Sequence, residues 1–380
     1  MIRNNYYKKI SGRHTGKQTR MALPLFVFSI LLFFIAFALK YFSTSFPEIV
    51  EKYYSLRFYR AVSGFFSKYF YLFPFSCAEI LLYCVIIFGI FLFALIIINI
   101  FKRKFSHSLR ITAFVLCIIS SAYFLLTVMW GLNYNRQPLE KSLGYKTGAP
   151  TSEELSRVMS HEAQSINSLC DKVKYDVNGH SYYPGGFSKI SENVNNGYTV
   201  LSEKGGTQGT LFGGARPRPK GILASKLLSY TGIGGIFVPF TFEPNVDTDI
   251  PQFVIPFNAA HESAHFKGFA REQEANFVAY LADTANSDPY FQYSAHMEAY
   301  IYVSNALYDT DNEQWNKVMP KIDRRAAADF EYYSDYINAH LSKVTDISNK
   351  VNDSYLKSQG QHGVVTYDIF VTLLVEKYRE

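Results

Sequence analysis

Three long apolar runs near the N-terminus constrain the fold more than any other feature of the chain. Met21–Leu39, Ile80–Phe101 and Ile111–Asn133 each contain no charged residue. As helices, at about 1.5 Å per residue, they are long enough to cross ~30 Å of hydrocarbon. The sequence therefore predicts three transmembrane helices within residues 21–133. The first is expected to be an uncleaved anchor, because it lacks the small-residue cleavage site of a signal peptide.

The charged residues that flank these runs predict an orientation. Residues 1–20 and the loop 102–110 carry lysine and arginine but no aspartate or glutamate. The loop between the first two spans contains both basic and acidic residues. Basic flanks remain in the cytoplasm. We therefore expect a cytoplasmic N-terminus (1–20), a three-span anchor (21–133) in the lipid of the cell membrane, and an extracytoplasmic domain (134–380). The net charge of +6 lies largely in these flanks, so nothing indicates nucleic-acid binding.

The domain after the spans contains the motif H-E-S-A-H at residues 261–265. On a helix, His261 and His265 lie one turn apart on the same face. Two imidazoles at this spacing can bind one zinc ion. Glu262 lies about 100° further round the helix, where it can act as general base towards a zinc-activated water without being a ligand. The apolar residues around the motif predict a buried helix, whose polar side chains require partners.

An acidic segment that follows the motif supplies the third zinc ligand. Gly268 is placed to end the first helix, so a second helix can bring a carboxylate back to the metal. Glu272 and Asn276 share a face, so Glu272 can bind zinc while Asn276 supports a ligand histidine in the second coordination shell. Glu274 points about 200° away from Glu272. We favour Glu272 as the ligand and keep Glu274 as the alternative.

These residues resemble a known pattern. H-E-x-x-H followed by E-x-x-A-N is similar to the gluzincin metallopeptidases, in which two histidines and a downstream glutamate hold zinc. Over nearly its whole length the chain resembles an uncharacterised bacterial family of three-span, membrane-anchored, zinc-metallopeptidase-like proteins. The matching stretches are 130–136, 218–225, 230–235, 261–277 and 355–360. Glu272 follows His265 by seven positions, a shorter spacing than in better-known gluzincins.

The remaining signals predict a helix-rich α+β domain. Thr151-x-x-Glu154 is typical of a helix start, Ser188–Glu203 reads as a second helix, and Gly205–Arg218 reads as an irregular loop. The aromatic segment 41–74 is expected to form an amphipathic helix. The predicted fold class is therefore a mainly α membrane protein with three N-terminal transmembrane helices and a zincin-like extracytoplasmic domain.

A short edge strand is expected before the motif. Ile233–Phe242 is apolar, and Pro239 restricts such a strand to the edge of a sheet. Extended peptides bind by adding a strand to such an edge, although packing of the side chains into the core explains the pattern equally well. The residues expected to bind substrate are Gly235, Ile236, Phe237 and Val238.

Hydrolysis also needs a donor that stabilises the oxyanion. The candidates are Tyr293, His296, Tyr355 and His362. Tyr355 is preferred because it lies within the matching stretch 355–360.

Together these features predict a membrane-anchored zinc-dependent hydrolase, most simply an endopeptidase acting on a peptide or protein substrate. Two alternatives stay open. One is a non-enzymatic membrane or envelope scaffold with a structural or vestigial zinc site. The other is a zinc amidase that acts on cell-envelope material. Glu262 favours an enzyme, because a purely structural site has no use for a base at that position.

Overall fold

The chain is mainly helical, as predicted. The computed structural model describes residues 2–146, 148–360 and 369–379, and over residues 2–21 it describes the backbone only. The helices in chain order are α1 (Ile2–Thr44), α2 (Pro47–Ile49), α3 (Arg60–Phe70), α4 (Cys77–Phe101), α5 (Phe105–Met129), α6 (Leu139–Leu143), α7 (Ser152–Leu169), α8 (Gly186–Glu203), α9 (Gly206–Phe212), α10 (Ser225–Leu228), α11 (Val254–Phe266), α12 (Glu272–Ala285), α13 (Pro289–Thr310), α14 (Asn312–Val318), α15 (Arg324–His340), α16 (Lys343–Ser358) and α17 (Ile369–Tyr378). A π-helical segment, Val50–Tyr59, joins α2 to α3.

The strands are few and short. A hairpin pairs β1 (Lys174–Tyr175) with β2 (Ser181–Tyr182). A second sheet contains β3 (Lys220–Gly221), β4 (Gly235–Val238) and β5 (Glu243–Val246) in the order β3-β5-β4. Strand β4 runs antiparallel to β5 and lies at the edge of this sheet. The predicted strand Ile233–Phe242 is thus shorter than expected, because the chain turns immediately after Val238.

Three helices are long and apolar enough to cross a membrane. They comprise Ala22–Thr44 of α1, the whole of α4 and the whole of α5. The third begins six residues earlier than the predicted run and ends at Met129, while the predicted end falls in the 3₁₀ segment Gly131–Asn135. Large apolar side chains of α4, including Ile87 and Phe93, are exposed. A helix that is apolar on every face suits contact with lipid.

The chain divides into two compact units. The first comprises Met1–Pro47 and Glu79–Asn135, and the second comprises Glu48–Ala78 and Arg136–Glu380. The segment Glu48–Ala78, which lies between the first two spans in the sequence and is called the interspan segment below, therefore belongs to the same unit as Arg136–Glu380. It falls within the range 21–133 predicted as the anchor. It is helical over most of its length, in line with the amphipathic helix expected at 41–74.

Aromatic and polar contacts hold this segment within the second unit. Phe242, at the turn between β4 and β5, packs on Tyr59 and Phe66 with ring centroids 6.0 and 5.7 Å apart. Phe242 is fully buried, and its φ of +50° is rare for a residue with a side chain. Nearby, the N–H of Ala78 donates to Oε2 of Glu243 over 2.8 Å. The surrounding packing stabilises the unusual backbone of this turn.

Local signals in the second unit were predictable to different degrees. Thr151 and Glu154 form the reciprocal hydrogen bonds of a capping box at the start of α7, which confirms that prediction. Helix α8 begins at Gly186, two residues before the predicted start. The prediction of an irregular loop over Gly205–Arg218 is wrong in its first half, which forms α9. Leu211 and Phe212 are buried, so the backbone of this segment needs hydrogen-bond partners away from water. A helix supplies those partners.

Candidate metal centre

Helix α11 carries the motif and is buried almost throughout. Pro256 lies in its first turn, where the missing N–H breaks no helical hydrogen bond. The helix ends in a Schellman motif: the N–H of Gly268 donates to the carbonyl of His265 over 2.8 Å, and that of Phe269 donates to Ala264 over 3.1 Å. Gly268 has a φ of +92°, which a glycine adopts without strain. The predicted helix stop is confirmed, and the chain reverses towards α12.

Three side chains from α11 and α12 converge. One ligand atom each of His261, His265 and Glu272 lies within 4.8 Å of the other two. Oε2 of Glu272 is 3.2 Å from Nε2 of His261 and 3.5 Å from Nε2 of His265. The His265 side chain is 8% exposed and that of Glu272 is 38% exposed. Access to the cluster is therefore from the Glu272 side.

The other nitrogen of each ring is held by an acceptor. Nδ1 of His261 lies 2.7 Å from Oδ1 of Asn276, and Nδ1 of His265 lies 2.7 Å from the carbonyl oxygen of Phe269. Because both partners accept, Nδ1 of each ring donates, and the tautomer that leaves Nε2 free is favoured. The amide of Asn276 in turn donates to the hydroxyl of Tyr302 over 3.3 Å. Both Nε2 atoms therefore face Glu272 in fixed orientations.

Glu262 lies beside the cluster and is buried from solvent. Its side chain is 4% exposed. The backbone N–H of Phe237 donates to its carboxylate, while Oε2 has no hydrogen-bond partner within the described part of the chain. Burial raises the pKa of Glu262 to about 7, although the neighbouring histidines act in the opposite direction. A buried carboxylate oxygen without a partner is costly and indicates a missing polar group.

His265 on α11 and Glu272 on α12 each shift the pKa of the other. Burial acts to lower the pKa of His265, but the Glu272 carboxylate outweighs it and raises this pKa to about 9. Burial acts in the opposite sense on Glu272, and the two histidines outweigh it, so the pKa of Glu272 lies well below its usual range. The site thus favours an ionised carboxylate facing a positive charge. A divalent cation would replace the proton as that charge.

The geometry of the cluster suits zinc. Tetrahedral zinc with bonds of about 2.1 Å places neighbouring ligand atoms about 3.4 Å apart. The separations of 3.2 and 3.5 Å from Glu272 to the two histidines are close to this value. Two imidazoles and one carboxylate are also the ligand set of zinc sites that leave a fourth position open. The orphaned Oε2 of Glu262 lies beside them, so the residues present fit this ion.

The alternative ligand, Glu274, points elsewhere. It is 2% exposed, and its Oε1 accepts from Arg271 over 2.5 Å and from the N–H of Leu139 over 3.0 Å. Glu274 therefore belongs to a structural ion pair at the start of α12. As expected from the helical spacing, only one of the two glutamates faces the histidines.

The proposed oxyanion donors are dispersed. The hydroxyl of Tyr293 donates to Asp329 over 2.8 Å, and Nδ1 of His296 lies 2.5 Å from Glu162. Tyr355 is half-buried in the last turn of α16, and its role stays a prediction. His362 lies outside the described residues.

Strand β4 runs past Glu262 with its free edge towards the helix. The N–H of Asp247 donates to the carbonyl of Gly234, so alternate residues of β4 pair with β5, while Gly235 and Phe237 turn their backbone groups outward. A Cβ on Gly235 would lie 2.7 Å from Oε1 of Glu262. Only glycine allows this approach. The four residues expected to bind substrate are those of β4, and Phe237 is buried while Ile236 is exposed.

A buried ion pair supports the turn between α11 and α12, and sequence reasoning missed it. Nε and Nη2 of Arg136 each donate to the carboxylate of Glu51 over 2.6 Å. Nη1 of Arg136 donates to the carbonyl of Gly268 over 2.8 Å, and the guanidinium lies 4.3 Å from the ring of Phe269. The turn that holds His265 is thereby tied to the segment between the first two spans. The only available signal was a lone arginine in the matching stretch 130–136.

Tyr59 in the same interspan segment was also missed. Its buried hydroxyl donates to the carbonyl of Phe266 over 3.1 Å and lies 3.3 Å from that of His265. These carbonyls belong to the last turn of α11, where carbonyl oxygens have no hydrogen-bond donor within the helix. No local pattern in the sequence connects residues 206 positions apart.

The comparisons with known proteins give one match. No curated protein and no solved structure matches the chain significantly. The family model described as "Protein of unknown function (DUF3810)" matches residues 54–375. That range contains residues 54–78 of the segment between the first two spans, the second and third candidate spans, and the whole cluster on α11 and α12. The chain belongs to this family, DUF3810.

Proposed function

We propose that this protein is a membrane-anchored zinc-dependent hydrolase, and that it is an endopeptidase. One observation carries the proposal: the Nε2 atoms of His261 and His265 and the carboxylate of Glu272 converge beside a buried carboxylate, Glu262, that is not part of the cluster. A structural site would require only the ligands. The additional carboxylate supports catalysis.

Each residue has a defined role in this proposal. His261, His265 and Glu272 hold the ion, which when bound polarises the substrate carbonyl and lowers the pKa of a water. Glu262 takes the proton from the attacking water and passes it to the departing amine nitrogen. Asn276 and the carbonyl of Phe269 hold the two imidazoles in orientation. Burial of Glu262 excludes bulk water from the proton transfer.

The edge of β4 supports a peptide substrate. Gly235 and Phe237 direct backbone groups away from β5, next to Glu262. Because the N–H of Phe237 already donates to Glu262, an extended peptide can pair with the backbone groups of Gly235 at this edge. Such an added strand would carry its backbone past the base without requiring a particular sequence. An endopeptidase needs such a binding edge, because it binds the substrate backbone on both sides of the scissile bond.

We further propose that the N-terminus is cytoplasmic and the second unit is outside the cell membrane. The acid-free basic segments 1–20 and 102–110 support this orientation. Glu48–Ala78 and the C-terminal domain share one compact unit, and three spans would bring both to the same side of the membrane. Reporter fusions after Arg20, Lys104 and Glu380 should read inside, inside and outside. An inside reading at Glu380 would contradict the orientation.

The function is tested on the full chain purified in detergent. A fragment beginning at residue 134 would lack Glu51, which pairs with Arg136, and Tyr59, which donates to the last turn of α11. We expect one zinc per chain in the parent, together with cleavage of unfolded protein or mixed peptides that a chelator stops and zinc restores. His261→Ala should lower both zinc content and cleavage, whereas His161→Ala, on α7 with a side chain that is 44% exposed, should lower neither.

The possible failures separate the other functions. Zinc binding with no cleavage of protein, peptides or cell-envelope material would favour a scaffold. Cleavage of envelope amides alone would favour an amidase. A parent chain without zinc affinity would contradict the proposal altogether.

A further inference from the structure

A cavity of about 300 Å³ lies beside the start of β4 and the first half of α11. Its lining includes Gly234, just before β4, and Asn258, one helical turn before Glu262. A Cβ on Gly234 would lie 2.3 Å from Nδ2 of Asn258, so strand and helix meet at this wall. Along the helix, Asn258 is about 6 Å from Glu262. Residues of an extended substrate are about 3.3 Å apart, so a residue flanking the scissile bond can reach the cavity.

The cavity has a buried acidic end and an exposed apolar end. Asp247 lines it and is fully buried. Its carboxylate accepts from the hydroxyl of Ser229 over 2.9 Å and from the N–H of Asp249 over 2.8 Å. These two bonds fix its direction. Ile337 and Leu341 also line the cavity and are 40% and 61% exposed, so a side chain can enter between them.

The described lining of the cavity gives this carboxylate no cationic partner. Neither lysine nor arginine lines the cavity in the described part of the chain. His340 lines it, with Nδ1 directed at the carbonyl of Tyr336 over 2.8 Å. The hydroxyl of Tyr336 is buried among these residues and interacts with Ser229. The Asp247 carboxylate therefore has hydrogen-bond donors but no cationic partner in the cavity lining, and a buried charge is stabilised by an opposite one.

We propose that this cavity binds the cationic side chain of a substrate residue next to the scissile bond, with Asp247 as its counter-charge. The inference rests on the proposed function, because it assigns a substrate class to that site. The volume is at the low end of ligand sites, which span about 300–1,000 Å³, and suits one long side chain such as lysine or arginine. Ile233, Val254 and Ile337 provide apolar contact for its aliphatic stem.

Binding can be measured without cleavage. The full chain with Glu262→Gln, in detergent and loaded with zinc, is titrated with labelled peptides of one sequence that carry lysine, norleucine or glutamate at a single position. Norleucine keeps the four-carbon stem of lysine and lacks the terminal ammonium group. We expect the lysine peptide to bind about tenfold or more tightly than the norleucine peptide, and the glutamate peptide to bind weakest. Equal affinity for lysine and norleucine would overturn the inference.

Variants assign the preference to the cavity. Asp247→Asn in the same background should abolish the difference between lysine and norleucine peptides. If that variant does not fold, substitutions at two exposed positions provide the test. Ile337→Lys, in the cavity, should weaken binding of the lysine peptide. Ile347→Lys, at a residue on α16 that is outside the cavity and 61% exposed, should not. Equal effects of the two lysines would overturn the inference. The proposed function fails separately, if the parent with Glu262 intact neither holds zinc nor cleaves any of these peptides.

Discussion

Oδ1 of Asn276 lies 2.7 Å from Nδ1 of His261, fifteen residues earlier in the chain. The contact joins α12 to α11 and sets which nitrogen of His261 faces Glu272. The hydrogen bond fixes the orientation of the ring before any ion binds, so the ring loses little further rotational freedom when the ion binds.

Asn276→Ala should weaken zinc binding by about 10- to 100-fold, the usual cost of removing a partner behind a metal-binding histidine. Asn276→Asp, which keeps an acceptor at this position, should bind zinc close to the parent affinity. Competition with a fluorescent zinc chelator measures both. Equal affinities of parent and Asn276→Ala would show that the hydrogen bond does not support the site.

Gly235→Ala should reduce hydrolysis and leave zinc content unchanged. Its Cβ would lie 2.7 Å from Cγ and Oε1 of Glu262 and 2.9 Å from the carbonyl of Asn245, so the base must move. Such overpacking typically costs about 1–3 kcal/mol of stability. Gly148→Ala is the matched control, because a Cβ there meets nothing within 4 Å. Parallel assays of metal content, activity and thermal unfolding distinguish the two, and unchanged activity in Gly235→Ala would contradict the placement of the base.

Breaking the pair of Arg136 and Glu51 should destabilise the second unit. Glu51→Leu leaves a buried guanidinium without its counter-charge, which costs about 3–5 kcal/mol. The double variant Arg136→Met with Glu51→Leu removes both charges and should recover much of this loss. Chemical denaturation of the purified full chain gives the comparison. A double variant as unstable as the sum of the singles would show that the two residues are not coupled.

Sequence reasoning succeeded where the signal was local. The spans, the capping box at Thr151, the helix stop at Gly268 and the shared face of Glu272 and Asn276 follow from spacing and residue type. It failed where the contact is distant in sequence. The roles of Tyr59, Glu51 and Arg136 depend on folding of the interspan segment onto α11, and no spacing rule reports such an encounter.

The choice between Glu272 and Glu274 shows the same limit within one helix. Helical geometry separates the two carboxylates by about 200° but does not say which one faces α11. That is decided by Arg271 and the N–H of Leu139, which hold Glu274 on the other side.

Glu298 gives a prediction on pH. Burial raises its pKa to about 7, and its Oε1 has no hydrogen-bond partner in the described residues. Between about pH 4.5 and 7 the folded state keeps a proton that the unfolded state has released, so the free energy of unfolding falls as pH rises through this range. At about 1.4 kcal/mol per pKa unit the loss approaches about 3 kcal/mol.

Glu298→Gln should therefore stabilise the protein at pH 8, have little effect at pH 4, and flatten the dependence between them. Glu313→Gln is the control, because the Glu313 side chain is 82% exposed. Denaturation curves at several pH values provide the test. A Glu298→Gln variant with the parent's pH dependence would show that this carboxyl is not the source of the slope.

The most direct test of the whole account is the activity of Glu262→Gln at full zinc occupancy. Glu262 lies beside the three ligand candidates and is not one of them, so the variant should hold one zinc per chain like the parent. Glutamine cannot accept the proton of the attacking water, so hydrolysis should fall by at least about 10²- to 10⁴-fold. Metal content and peptide cleavage, measured on the same preparation, give the answer. A zinc-loaded Glu262→Gln variant as active as the parent would contradict the account.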